Sequence, residues 1–585
     1  MSARALALCL LCLLPALLAR GAAAQNDAAI RLNQVGFHPA APKVAVVADA
    51  HADQFAVLTA DRGDTVLTGM LAPVASWEPS GERVRLAEFG ELAKPGRYVL
   101  AVPGVGRSRP FVVGPDVYTP VARAAVKAFY FQRMSVDLPP AYAGPWSRRA
   151  GHPDDAVLVH PSAAGPGRPA GTRIAAPGGW YDAGDYNKYV VNSGISTYTL
   201  LVLAEHFPEY AGASLSTNVP ESGNALPDVL DEALWNLRWM MAMQDPNDGG
   251  VYHKLTNAEF NAMEMPERAT APRYVVQKST AAALDFAATA AHAALVVRRF
   301  PRQLPGLADS LVRGATAAWR WARAHPDSVY DQRRLNERFD PDVNTGAYGD
   351  TALGDELQWA AAELYLATRA DSFLVLAEPL APPPARVPGW GSVRALGLYS
   401  LADHRRELPR GFDTTALVRQ LLVPARELAE RARTSPYGVP IGERRDFGWG
   451  SNAVAANQGM LLVQAYRLTR DTTYLSAAVA ALDYVLGRNA TGYSFVTGFG
   501  WRPPRAPHHR PSQADTVAAP VPGMLVGGPN PAQQDHCPGY PSRLPALSYL
   551  DDVCSYASNE IAINWNAPLA YLAGAVDAIY RELKH

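Results

Sequence analysis

The hydrophobic period of this 585-residue chain changes once, near Pro120, and that change constrains the fold more than any other feature. Before it, apolar residues alternate in short runs such as 43–47, 54–58, 83–86 and 97–102. Turn residues, among them Asp61-Arg62-Gly63-Asp64 and Lys94-Pro95-Gly96, separate the runs. Period-2 alternation puts one face of each strand in a core, and short strands at this spacing read as a β-sandwich over 28–115. No titratable residues cluster there, so its expected task is structural. After Pro120 the period becomes helical. Segments 121–134, 193–207, 225–243, 279–300, 307–325, 355–369, 414–433, 453–468, 473–486 and 569–583 carry apolar residues at i, i+3 and i+4. Many are Ala-rich on the apolar side, which lets helices approach closely. With no strand alternation between them, helical hairpins arranged in a ring are expected over 116–585, with the connecting loops gathered on one face.

Length alone allows two to four domains, and the period change narrows this to two. Apolar residues make up 48% and charged residues 19%, enough for a large core. With 54 basic against 55 acidic side chains there is no basic field to hold nucleic acid. Gly (46) and Pro (49) exceed their usual share and point to long shaped loops, notably 139–191, 244–278, 370–396 and 488–557. The N-terminus reads as an export signal, 1–24. Arg4 precedes an apolar run too short to span a bilayer, and Ala22-Ala23-Ala24 supplies the cleavage exit. The mature protein is expected to be secreted or periplasmic, with no membrane span. Cys9 and Cys12 leave with the signal. Cys537 and Cys554 then meet an oxidising compartment, as one disulfide or as two buried thiols.

The loops hold the chemistry. Gly178-Gly179-Trp180-Tyr181-Asp182-Ala183-Gly184-Asp185-Tyr186-Asn187-Lys188-Tyr189 sets two Asp on a Gly-rich turn among four aromatics. Asp in a turn is ordinary, but Trp and Tyr beside carboxylates form the kind of surface on which sugar rings stack. A second constellation runs from Ser555 through Tyr556, Asn559 and Glu560 to Trp565 and Pro568. There Glu560 is either a helix-start acid or an acid kept protonated by aromatic neighbours. A third, Pro507-His508-His509-Arg510, reads by itself as a basic surface turn.

Together these stretches resemble glycoside hydrolase family 9, the cellulase family with an N-terminal immunoglobulin-like domain. The carriers are Asp182-Ala183-Gly184-Asp185, then Ser494 to Arg502 running on to Pro507-His508-His509-Arg510. The third is the stretch from Tyr549 and Asp551 through Tyr556, Glu560, Ala562, Asn566 and Ala567. Ile30 to Phe37 looks like the opening strand of the family's accessory sandwich. The resemblance implies a mostly α protein, an (α/α)6 toroid preceded by a small immunoglobulin-like sandwich, that hydrolyses β-1,4-glucan with inversion. Carried over by position, Asp185 is the general base, Asp182 helps hold the water and Glu560 is the general acid, with His508 and Asp551 in the catalytic set. Arg510, His253, Trp449, Trp180 and Tyr556 are expected to contact the sugar, with core packing an equally good account of His253 and Trp449. The Asp350 to Glu356 loop resembles a calcium loop with Asp355 and Glu356 as ligands. No cofactor is required for the chemistry, and the Cys/His zinc cluster of some relatives has no counterpart. The expected partner is a β-glucan polysaccharide or oligosaccharide cut internally. Exo-acting cellodextrinase or β-glucosaminidase activity on the same scaffold is the alternative, and a non-catalytic glycan-binding protein is the alternative of another class. With no cellulose-binding module or long linker after the ring, soluble chains are expected over crystalline cellulose.

Overall fold

The alternating runs form two antiparallel sheets packed face to face. One orders Ile30–Arg31, Val44–Ala48, Glu82–Glu88 and Ala75–Trp77. The other orders Thr65–Met70, Gln54–Thr59, Gly96–Val102 and Gly106–Arg107, with Phe111–Val113 also on Gly96–Val102. The inward residues make a separate core in which Phe37 meets Phe89 and Phe111 edge to face at 5.4 and 5.5 Å. The computed structural model describes residues 29–377 and 384–583, so the expected signal peptide 1–24 lies outside the described residues.

The helical region closes on itself. Among the described residues, six helices form an inner ring: Val190–His206, Thr280–Val297, Gly354–Thr368, Arg394–Asp403, Ser451–Thr469 and Ile563–Glu582. Each touches the next and the last touches the first. Thr119–Phe131, Asp228–Ala242, Leu307–Ala324, Asp371–Ala377, Thr414–Thr434 and Thr472–Val485 pack outside them. The architecture is an (α/α)6 toroid behind an immunoglobulin-like sandwich. Inner helices are buried nearly all round, which is why Ala fills them. Thr280–Val297 is apolar and long enough to cross a membrane, yet 94% of it is buried inside the ring.

Two sequence expectations need correction. Segment 370–396 is not all loop. It contains Asp371–Ala377 and the start of the inner helix Arg394–Asp403. That helix has no polar face to mark its period, and Gly397 lowers its propensity. The glycine is there because a Cβ would stand 3.0 Å from the Trp359 backbone. The helical region also contains strands. Arg173–Ile174, Val157–Val159, Arg273–Val275, Lys254–Asn257 and Lys188–Tyr189 form a small sheet from two of the long loops. Its edge strand Lys188–Tyr189 follows the Asp182–Asp185 turn directly and pairs with Lys254 and Leu255.

The sandwich is bolted to the ring. Asn33 donates to Asp483 at 2.7 Å, Gln34 N–H to the Leu486 carbonyl at 2.8 Å, and Trp77 lies 4.1 Å from the Tyr437 ring.

Candidate active site

The turn carrying the two Asp lies at one end of the ring, between the helix Ile563–Glu582 and the His508 segment. Ile563 N–H donates to the Asp182 carbonyl at 2.8 Å. His508 forms a parallel bridge with Glu560, and Val526 an antiparallel one with Ile561. Gly184 must be glycine, because a Cβ there would stand 2.1 Å from the His508 carbonyl oxygen. Three stretches far apart in sequence are thus joined through their backbones. They open into a cavity of about 860 Å³ lined by Asp182, Asp185, Glu560, His508, Tyr348, Trp449 and neighbours.

Each carboxyl in the cavity has its own environment. Asp185 Oδ2 accepts from Asn187 Nδ2 at 2.5 Å and from the Tyr189 hydroxyl at 3.0 Å, while Oδ1 accepts no bond among the described residues. Asp182 is covered. Asn192 Nδ2 donates to its Oδ1 at 2.5 Å and the Tyr348 hydroxyl to its Oδ2 at 2.7 Å. Burial, and then the charge of Asp185, push Asp182 up to about 8. Glu560 is only partly covered by protein, but desolvation at the cleft floor, followed by the charges of Asp185 and Asp182, raises it well above the carboxylate range. The cavity therefore holds Glu560, whose proton affinity is raised, together with Asp185, one of whose oxygens accepts no bond among the described residues.

His508 Nδ1 sits 2.6 Å from the Val553 carbonyl, and burial lowers its proton affinity. In the neutral ring Nδ1 carries the hydrogen, since only a donor can face a carbonyl, which leaves Nε2 as an acceptor. Trp449 is 48% exposed and tilts 5.5 Å from Tyr556, while Trp390 stands edge-on to Tyr348 at 5.2 Å.

Four sequence expectations change position or role. His253 does not reach the cavity. It is fully buried, with Nδ1 on Ser279, Nε2 on the Ala347 carbonyl and its ring stacked 4.1 Å from Tyr330. Trp180 is likewise a core residue, packed 4.7 Å from Phe129 and facing Glu232. Asp551 stands behind the site and accepts from the Arg505 and Ala506 amides and from Asn559, so it fixes the approach to His508. Arg510 borders the cavity, but its guanidinium bonds the carbonyls of Gly184 at 2.7 Å and Asn261 at 2.8 and 2.9 Å. It is a bracket whose charge also favours ionised Glu560. Asn187, Tyr189, Asn192 and Tyr348 escaped the sequence reading. The first two lie within the quoted Asp motif, so their spacing was a usable signal. The last two had none.

Tyr348 comes from a loop that brought together the groups suggested for calcium. Asp355 accepts from the Val393 amide at 2.9 Å, and Asp350 from the Ala352 amide at 2.7 Å. Glu356 and Asp285, from the neighbouring inner helix, are fully buried, and none of their carboxyl oxygens has a hydrogen-bond partner among the described residues. Burial, then the charges of Asp285 and Asp355, push Glu356 up to about 11, and burial with the charges of Asp355 and Asp350 raises Asp285. Among the described residues, only Cys537, Asp552 and Cys554 bring three metal-type donors within 4.8 Å. The two sulfurs are bonded to each other, with Cα atoms 5.7 Å apart, which removes them as thiolate ligands.

Comparison with known proteins settles the family. Residues 118–573 match the model for "Glycosyl hydrolase family 9", and residues 25–107 match that for "Cellulase N-terminal ig-like domain".

The chain belongs to glycosyl hydrolase family 9.

It is a glycoside hydrolase of a family that inverts the anomeric centre. It is 44% identical over 95% of its length to a xyloglucan-specific endo-β-1,4-glucanase from Bacteroides ovatus, covering 94% of that protein. Endoglucanase D of Acetivibrio thermocellus is 32% identical over 94% of this chain and 84% of its own. A solved family 9 structure from Bacteroides ovatus superposes with a TM-score of 0.90 at 43% identity, covering 95% of this chain and all of that one.

Proposed function

We propose that this family 9 hydrolase cuts β-1,4-glucan chains internally, with Asp185 as general base, Glu560 as general acid and Asp182 as the base's helper. One observation carries the reading: Glu560, its proton affinity raised by burial and neighbouring acids, and the Asp185 Oδ1 that accepts no bond among the described residues share one cavity with exposed aromatic rings. Asp185 Oδ1 takes a proton from water as the water oxygen attacks the anomeric carbon. Glu560 gives its proton to the departing glycosidic oxygen on the opposite face. Asp182, pushed up to about 8, fixes the turn through Tyr348 and Asn192. His508 Nε2 accepts from a sugar hydroxyl, and Trp449 with Tyr556 stacks a pyranose face.

The likeness to a xyloglucan-specific enzyme across nearly the whole of both chains favours a branched β-1,4-glucan over cellulose as the preferred substrate. A product profile over xyloglucan, mixed-linkage glucan, carboxymethyl-cellulose and cellohexaose tests both parts. Short oligomers accumulating from the start, with no fall in polymer length, would overturn internal cleavage. Faster hydrolysis of unbranched than of branched glucan would overturn the preference.

Asp285, Asp350, Asp355 and Glu356 would hold a structural calcium. The oxygens of Asp285 and Glu356, which have no hydrogen-bond partner among the described residues, suit that ion, and leaving such groups bare costs about 1–3 kcal/mol each. Asp350 and Asp355 each already accept one amide. The ion would pin the loop that delivers Tyr348. We further infer export directed by 1–24, consistent with the Cys537–Cys554 disulfide. Recovery of the secreted protein with an N-terminus other than Gln25 would contradict the cleavage site.

A further inference from the structure

Lys254 is a fully buried ammonium with no carboxylate in contact among the described residues. Its donors go to Gln332 Oε1 at 2.7 Å, Thr345 Oγ1 at 3.0 Å and the Gly346 carbonyl at 2.6 Å. An unpaired buried cation is costly, so its place next to an active site calls for a reason. The Gly346 peptide carries the link onward. Its N–H donates to the Tyr189 hydroxyl at 3.1 Å, and that hydroxyl donates to Asp185 Oδ2 at 3.0 Å. The other donor to Oδ2, Asn187, is held from behind by the Asn257 amide and Thr256, and Thr256 contacts Thr345 at 2.5 Å. Both bonds to Asp185 Oδ2 are therefore anchored in the structure that surrounds Lys254.

The charges around the ammonium are few. The rings of Tyr189 and Tyr330 lie 5.6 and 5.4 Å away, and the neighbouring His253 is held neutral by burial, its affinity lowered to about 3. Asp185 is the acid whose charge supports the lysine against a desolvation that pulls it down to about 7.

We propose that Lys254, acting through the Gly346 peptide and Tyr189, is the positioning residue that holds Asp185 with Oδ1 toward the attacking water and serves as the counter-charge of the ionised base. The proposal rests on the reading of Asp185 as base. The test compares Tyr189→Phe, Lys254→Met and Asp185→Ala on cellohexaose, with pH profiles of kcat/KM and a Tm for each. Tyr189→Phe is expected to lower kcat about 10–100-fold, the worth of one hydrogen bond to a charged group, with KM within about twofold. Lys254→Met is expected to lower kcat similarly and to move the acidic limb to higher pH, because removing a nearby positive charge makes the base easier to protonate. A purely structural role would lower Tm and leave the limb in place. Wild-type kcat in Tyr189→Phe, or an unmoved limb in folded Lys254→Met, overturns the proposal. If Lys254→Met does not fold, the kcat of Tyr189→Phe decides. Asp185→Ala separates the layers: retained activity there sinks the base assignment itself, whereas an inactive Asp185→Ala beside a normal Tyr189→Phe sinks this inference alone.

Discussion

Two groups of buried acids meet on the loop 344–356, and they are handled in opposite ways. At the cleft, Asp182 and Asp185 are surrounded by neutral donors: Asn187, Tyr189, Asn192 and Tyr348. A few residues on, Asp285 and Glu356 are equally buried and receive no donor. Carboxylates that must act repeatedly at fixed geometry are preorganised by protein groups. Carboxylates left bare must keep a proton or take a cation. The loop's two ends thus do different work, one shaping a reaction and the other anchoring the shape.

The largest effect should come from the cleft. Asp185→Ala and Glu560→Gln are each expected to lower kcat on β-1,4-glucan by about 10³-fold or more at unchanged Tm, the scale of general acid–base catalysis. In the wild type, activity should fall on the alkaline side as Glu560 loses its proton, above the usual carboxylate range. Turnover near the wild-type rate in either variant would abolish the contrast between the two groups. Tyr348→Phe should cost about 10-fold in kcat through the lost bond to Asp182, measured against cellohexaose with KM as control.

At the bare cluster the readout is stability. Glu356 and Asp285 have folded-state affinities raised above their unfolded values, so the metal-free folded chain keeps protons that the unfolded chain has released. Metal-free stability should therefore fall as pH rises from the ordinary carboxylate range toward about 11. Calcium, which binds the ionised form, should raise Tm by several degrees at pH 8 and by less at pH 5, and chelation should reverse it. A Tm indifferent to calcium at both pH values would leave the cluster as protonated acids. The smallest effect belongs to the rim: Trp449→Ala should raise KM several-fold while kcat stays within about twofold, because an exposed ring adds binding without touching the reacting atoms.

The sequence disclosed the ring, the sandwich and the carboxyls that line the cleft because each is written locally, as a period or as a short motif. What it withheld depends on distant partners. Tyr348 reaches Asp182 across 166 positions, and nothing near Tyr348 marks it as a donor. His253 and Trp180 sit in Gly-rich, aromatic stretches like those at a cleft, but whether such a side chain faces substrate or core is decided by the packing of other segments. Arg510 lines the cavity, yet its bonds to Gly184 and Asn261 appear only once three loops converge. The inner helix Arg394–Asp403 escaped because burial on every side erases the polar stripe that periodicity needs.

The contact between Gly184 and the His508 segment has a consequence for how such an enzyme diversifies. Gly184 also accepts from the Arg510 amide, 326 positions away, so the gap between the two proposed catalytic carboxyls is gauged by main chain against main chain. Cleft walls such as the loop bearing Phe260 are attached to this gauge from outside. They can lengthen, shrink or exchange side chains over generations and so explore differently decorated polysaccharides without disturbing the catalytic spacing.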